Sequence, residues 1–175
     1  TISYEASSRF VEFEPGKALH YHDVGEGFPV VCLHGGGPGA SGWANYSRNI
    51  EALSRHFRVL AFDLPQFGRS YKGSFDDDLY PSFARILDRA LGVMGVERAH
   101  FIGNSMGGAV SCFTAHFNPG RVERQGRPRE RPGAQRGEIG PLQGVGEAAL
   151  VALEHPEVGH EMVREQNWLR PLQVV

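Results

Sequence analysis

One serine in this chain stands where a nucleophile would be built. Gly103-Asn104-Ser105-Met106-Gly107 fits the pattern G-x-S-x-G. In a chain with 23 glycines the pattern alone is weak. Its setting gives it weight, because it follows a run that reads as a strand and opens one that reads as a helix. A turn of that kind forces the serine backbone into strain, so both flanking glycines must be small enough to let strand and helix approach. The hydroxyl then projects beside a helix N-terminus, whose partial positive charge favours a developing anion. The rival reading is a serine that merely caps a helix beside two packing glycines.

A second stretch could serve that serine. His34-Gly35-Gly36-Gly37-Pro38-Gly39 follows a short apolar run, and glycines without Cβ let backbone amides face a small oxygen. The amide of Met106 with one from Gly36 or Gly37 would form an oxyanion hole, worth about 3 kcal/mol per donor. A phosphate cradle is the competing use of such a loop. It lacks both the Walker-type lysine and G-x-G-x-x-G spacing with a helix directly after it.

The elements that must hold these two stretches are well punctuated. Residues 10–14 and 18–23 alternate apolar and polar around Pro15-Gly16, which predicts a hairpin. Residues 29–33 are a short, continuous apolar run, the mark of a strand buried on both faces, and 57–62 and 99–102 read as two further buried strands. Helical spacing predicts helices over about 45–56, from Asp78 as its side-chain cap to Gly95 with Pro81 in the first turn, and over 106–117. Strand–helix alternation with short links is the form of a mostly parallel sheet with flanking helices, an α/β fold.

Together these pieces resemble the α/β-hydrolase family, and within it the hydrolases of meta-cleavage products, which split carbon–carbon bonds of ring-opened aromatic and steroid catabolites. The carrying residues are His34-Gly-Gly-Gly-Pro-Gly-Ala-Ser-Gly-Trp43-Ala-Asn45-Tyr46, Asn49-Ile50, Phe62-Asp63-Leu64-Pro65-Gln66-Phe67-Gly68-Arg69-Ser70 and Gly103-Asn-Ser-Met-Gly-Gly108. The resemblance runs from about Ser8 to Glu123. It implies Ser105 as nucleophile, Gly36 and Met106 as oxyanion donors, and Gly37, Asn45 and Asn104 along the polar end of a small-molecule ring-fission dienoate. It implies no metal or organic cofactor. Read without the family, Asn45 is as well placed to cap a helix, and Asn104 to bond a loop. Gln66 stands where many members of the family have glycine.

The chain departs from the family after about residue 123. A serine needs a histidine to take its proton and a carboxylate to orient that histidine, and in this fold both follow the serine. Yet every Asp (residues 23, 63, 76, 77, 78 and 88) precedes Ser105. Beyond His116, which reads as part of a helix, only His155 and His160 could serve as a later base, and Gly159-His160 with Glu165 faintly resembles the family's terminal histidine motif. His160 is therefore the candidate base, against a solvated histidine as the bland reading. His34, His56, His100 and His116 read as structural, and Asp63 as a strand-end residue bonding its own loop.

Composition changes at the same place. All 11 Phe and all 5 Tyr lie at or before Phe117, whereas residues 121–175 hold 8 Arg and 8 Glu with no Lys or Asp. Two segments are expected: 1–123 as the N-terminal part of a hydrolase core, and 124–175 as an atypical tail, irregular or out of frame. Within the tail, residues 148–153 and 161–169 have weak helical patterns.

Net charge of −2 gives no hint of a nucleic-acid or anionic-membrane partner. Residues 1–10 lack the form of a signal peptide, and no run is long enough to span a membrane. Cys32 and Cys112 read as buried free thiols of a reducing compartment, so the cytoplasm is expected. A homo-oligomer is left open. Three functions compete: a C–C bond hydrolase, a small-acyl serine esterase, and a non-catalytic fragment.

Overall fold

The computed structural model describes residues 2–75, 78–122 and 150–152. A one-turn helix, α1 (Tyr4–Ser7), leads into the hairpin of β1 (Ser8–Glu14) and β2 (Lys17–Val24), which turns at Gly16 with φ +74°. There follow β3 (Pro29–Leu33), α2 (Gly42–Leu53), β4 (Arg58–Phe62), α3 (Leu79–Val93), β5 (His100–Asn104), α4 (Met106–Phe117) and β6 (Leu150–Ala152).

The strands form one sheet in the order β1-β2-β4-β3-β5-β6. β4, β3 and β5 are mutually parallel, with Leu33 opposite both Phe62 and Gly103. The outer pairs, β1-β2, β2-β4 and β5-β6, are antiparallel. From β3 the chain crosses through α2 to β4, then returns through α3 to β5 on the far side of β3. That reversal leaves a crevice beyond the carboxyl ends of β3 and β5, where open α/β sheets bind their ligands.

Period-two alternation divides the sheet into two cores. Val30, Cys32, Val59 and Ala61 face α2 and pack on Tyr46, Ile50 and Leu53. Val31, Leu33, Leu60, Phe62 and Phe101 face α3 and α4, against Phe83, Leu87, Leu91 and Val110. Each fully buried Val, Leu, Ile or Phe among them contributes about 1.5–3 kcal/mol of hydrophobic stabilisation. Both cysteines are buried free thiols, pushed up to about 12 by burial.

Three local expectations are corrected. α2 begins at Gly42 rather than near Asn45, because Ser41 Oγ accepts from Ala44 N at 3.0 Å and is the cap. It also ends at Leu53, three residues early. Asp78 holds the N-cap position of α3 without a side-chain capping bond. Residues 150–152 are strand, not helix: the open edge of β5 offers a hydrogen-bond ladder that outweighs a weak periodicity. The expected helix over 161–169 lies outside the described residues.

Among the described residues no helix is long and apolar enough to cross a membrane.

Candidate active site

The turn between β5 and α4 is strained as its sequence requires. Ser105 has φ +49° and ψ −110°, and is exposed. A backbone of that kind in a non-glycine residue costs about 1–3 kcal/mol and persists only where its surroundings enforce it. The enforcement is visible on both sides. A Cβ on Gly103 would lie 2.5 Å from the Gly107 carbonyl carbon, and one on Gly107 would lie 2.1 Å from Leu33 O. Only glycine fits at either place. The strand and helix press together, and the serine at their apex is thrust outward.

Among the described residues no partner hydrogen-bonds the Ser105 hydroxyl, and it does not cap α4. The Met106 and Gly107 amides that open α4 lie before the first intrahelical bonds, which run from Gly108 N and Ala109 N to Ser105 O at 2.9 and 3.2 Å. The glycine stretch lies alongside: a Cβ on Gly36 would be 4.0 Å from Met106 Sδ, and one on Gly35 would be 3.3 Å from Asn104 Nδ2. Gly36 and Gly37 are exposed, and Gly37 has φ +124°, a backbone that side chains rarely adopt. The two predicted oxyanion residues are thus neighbours.

Asn45 and Asn104 meet each other. Asn45 Oδ1 accepts from Gly35 N at 3.2 Å and from Asn104 Nδ2 at 3.0 Å. One carboxamide oxygen therefore ties the glycine stretch to the serine turn. Asn45 is not a helix cap, since it lies inside α2.

His34 is structural, as its sequence position suggests. Its ring is fully buried; Nδ1 lies 2.7 Å from Gly35 O and Nε2 accepts from Leu64 N at 2.9 Å. Burial lowers its pKa, against the opposing pull of the Gly35 carbonyl and Asp63. With both nitrogens engaged it holds the neutral tautomer and offers no lone pair to Ser105.

Asp63 bonds its own loop through Arg69 N at 2.9 Å, and also accepts from Gly42 N at 2.7 Å and from His20 Nδ1 at 2.8 Å. Burial alone would raise its carboxyl pKa, but the His20 bond and the two amides outweigh it and hold the group below its ordinary range. Beside it lies an open cleft of about 380 Å³, between the glycine stretch at Gly37–Ser41 and the loop Gln66–Gly68. Gln66 sits at φ +74°, a left-handed backbone that favours glycine.

His155, His160 and Glu165 lie outside the described residues. Among the described residues no group of three or more His, Cys, Asp or Glu side chains is placed to hold a metal. Sequence reasoning missed His20 and Tyr46, two fully buried polar residues whose partners are far away in the chain. Their strand and helix positions look apolar, and nothing local signals the contacts.

A family model described as alpha/beta hydrolase fold matches residues 29–124. The chain belongs to the α/β-hydrolase family. A 2-hydroxy-6-oxononadienedioate/2-hydroxy-6-oxononatrienedioate hydrolase of Pseudomonas putida is 44% identical over 126 residues, covering 69% of this chain and 44% of that protein. Among solved structures, a meta-cleavage product hydrolase from Pseudomonas fluorescens IP01 superposes with TM-score 0.61 at 35% identity, over 66% of this chain and 42% of the other. An epoxide hydrolase superposes nearly as well, TM-score 0.60 at 31% identity over 67% of this α/β-hydrolase chain and 40% of its own. Fold likeness alone therefore does not choose the chemistry. The chain spans less than half the length of the curated relatives it matches.

Proposed function

We propose that this chain carries the nucleophile and oxyanion half of a serine hydrolase that cleaves C–C bonds of 2-hydroxy-6-oxo-dienoate ring-fission products. The observation that carries the reading is the strained, exposed Ser105 beside the Gly36–Met106 pair. The relatives' names support this substrate class over esters, which a lone serine turn would serve as readily.

In the proposed chemistry the dienol first ketonises in the site. Attack on the resulting carbonyl, by Ser105 or by an assisted water, places negative charge on its oxygen. The Gly36 and Met106 amides receive that charge at about 3 kcal/mol per donor. Breaking the adjacent C–C bond, with one water consumed overall, releases a dienoate and a carboxylic acid. Gly37, Asn45 and Asn104 line the polar end of the substrate. The Asn45 oxygen is already engaged, so its Nδ2 is the atom it offers. His160 is proposed as the proton acceptor. No cofactor enters. We place the working enzyme in the cytoplasm, acting on a small molecule without nucleic acid or membrane.

Residues 124–175 are proposed to be foreign to the family, because the family match ends at residue 124, where the composition also changes. Family-like residues in another frame of the coding DNA would support an out-of-frame origin, and their absence from every frame would refute it.

Turnover of a ring-fission dienoate by the full chain, followed as loss of its visible absorbance, tests the reading. Turnover abolished by Ser105→Ala is expected. Hydrolysis of p-nitrophenyl acetate without dienoate turnover would replace it with an esterase.

A further inference from the structure

Tyr46 is wholly buried, yet it carries a hydroxyl that the proposed chemistry does not use. That hydroxyl lies 2.9 Å from Leu33 O and 3.2 Å from Ile102 O. One phenolic proton is thus shared between carbonyls of two adjacent parallel strands. The carbonyls are not ordinary ones. Leu33 is the last residue of β3, directly before the glycine stretch, and Ile102 directly precedes Gly103 at the start of the serine turn.

Leu33 O has a second close neighbour. It lies against Gly107 of α4, where even a methyl group would come within 2.1 Å. The Leu33 carbonyl is therefore held between the Tyr46 hydroxyl on one side and the first turn of α4 on the other. Rotating that peptide would swing His34 to Gly36 relative to Met106. The preceding residue of the same helix, Asn45, ties Gly35 N to Asn104 Nδ2. Two consecutive residues of α2 thus bridge the same two strand ends at two levels.

The base of α2 is itself fixed. Gly42 N donates to Asp63 Oδ1, and a Cβ on Gly42 would lie 2.6 Å from Ala61 O, so the helix start is pressed onto β4. We propose that Tyr46 is a positioning residue that sets the separation of the Gly36 and Met106 amides by clamping the ends of β3 and β5. It deepens the reading of Ser105 and rests on it. Oxyanion donors act only when aimed at where the charge develops, so a small change in their spacing costs rate rather than binding. Burial drives the phenol well above its ordinary pKa of 10, so the group remains a donor wherever the chain is folded.

The test is Tyr46→Phe in the full chain, with Leu87→Val as a control that trims the opposite core. Ser105 labelling by a fluorophosphonate is timed at a temperature where all variants are folded. Tyr46→Phe is expected to slow labelling about tenfold, while Leu87→Val lowers the melting temperature and labels at the wild-type rate. Restoring an N–H donor with 4-aminophenylalanine at position 46 is expected to recover the rate. Wild-type labelling by Tyr46→Phe would overturn the proposal.

If the wild-type chain does not label, the reading of Ser105 as an activated nucleophile fails, and amide spectra decide the clamp separately. Gly36 and Met106 resonances that move in Tyr46→Phe but not in Leu87→Val support it; resonances that stay in place overturn it. Should Tyr46→Phe not fold, 3-fluorotyrosine at position 46 alters the donor while keeping the ring. Unchanged labelling and unchanged Gly36 and Met106 amides would then overturn the clamp.

Discussion

Ser8 and Ser105 stand in different regions, and Ser8 has the partners usually asked of a catalytic serine. Its hydroxyl lies 2.8 Å from His20 Nε2, and His20 Nδ1 lies 2.8 Å from Asp63 Oδ2. No partner bonds the Ser105 hydroxyl among the described residues. Connectivity alone would choose Ser8 over the proposed Ser105. The Ser8 array is a brace: His20 is fully buried, with the Tyr4 and Phe10 rings packed 5.8 and 5.0 Å away. Asp63 is shared with two loop amides. Ser8 itself has an ordinary extended backbone, φ −65° and ψ 128°. Ser105 has strain, exposure and a helix N-terminus. Buried polar groups need a Ser–His–Asp pattern merely to be satisfied; reactivity needs a hydroxyl that a substrate can reach.

The largest expected effect separates two glycine contacts. Gly107→Ala drives a methyl into the Leu33 backbone carbonyl, which cannot move aside, and should cost about 3 kcal/mol or more by urea unfolding. Gly36→Ala meets only the flexible Met106 side chain, with Sδ 4.0 Å away, and should cost less. Equal losses would remove the rigidity assigned to the serine turn.

Asp63→Asn comes next, at about 3 kcal/mol at neutral pH, because it removes the charge from a buried hydrogen-bonded pair. The folded carboxyl titrates below its ordinary 3.8, so its contribution is complete above that value and fades as pH falls further. The stabilities of wild type and Asp63→Asn should converge in acid. A constant gap would contradict the brace.

His22 supplies a smaller slope. Burial first, and then the neighbouring His20, lower its pKa from 6.5 to about 4, and its Nε2 is buried without a partner among the described residues. The unfolded chain takes up that proton before the folded one does. Stability should therefore fall as pH drops from 6.5 towards 4, by about 1.4 kcal/mol per unit for this group. His34, also lowered, adds a slope of the same sign. Urea midpoints across that range should flatten in His22→Gln.

The smallest pair has opposite signs. Ser105→Gly should gain about 1 kcal/mol by releasing backbone strain, whereas Ser8→Ala should lose about 1 kcal/mol with its hydrogen bond. Both are read from thermal unfolding. Two losses would mean that Ser105 is not strained.

Much of this was legible in the sequence because the informative features are local. Gly103 and Gly107 flank a strand-to-helix turn, and the buried runs of β3 and β4 are continuous after their first residue. The start of α2 was misread because Asn45 and Ser41 are both able caps, and only the Gly42–Asp63 contact decides between them. The Ser8–His20–Asp63 brace and the Tyr46 clamp were not legible. Their partners lie 12 to 56 residues apart, and sheet order alone brings them together.

Mass spectrometry of the full chain after fluorophosphonate treatment tests the central claim most directly. The account predicts an adduct on the peptide containing Ser105, none on the peptide containing Ser8, and loss of the adduct in Ser105→Ala. An adduct on Ser8, or an unmodified Ser105 in the folded chain, would contradict it.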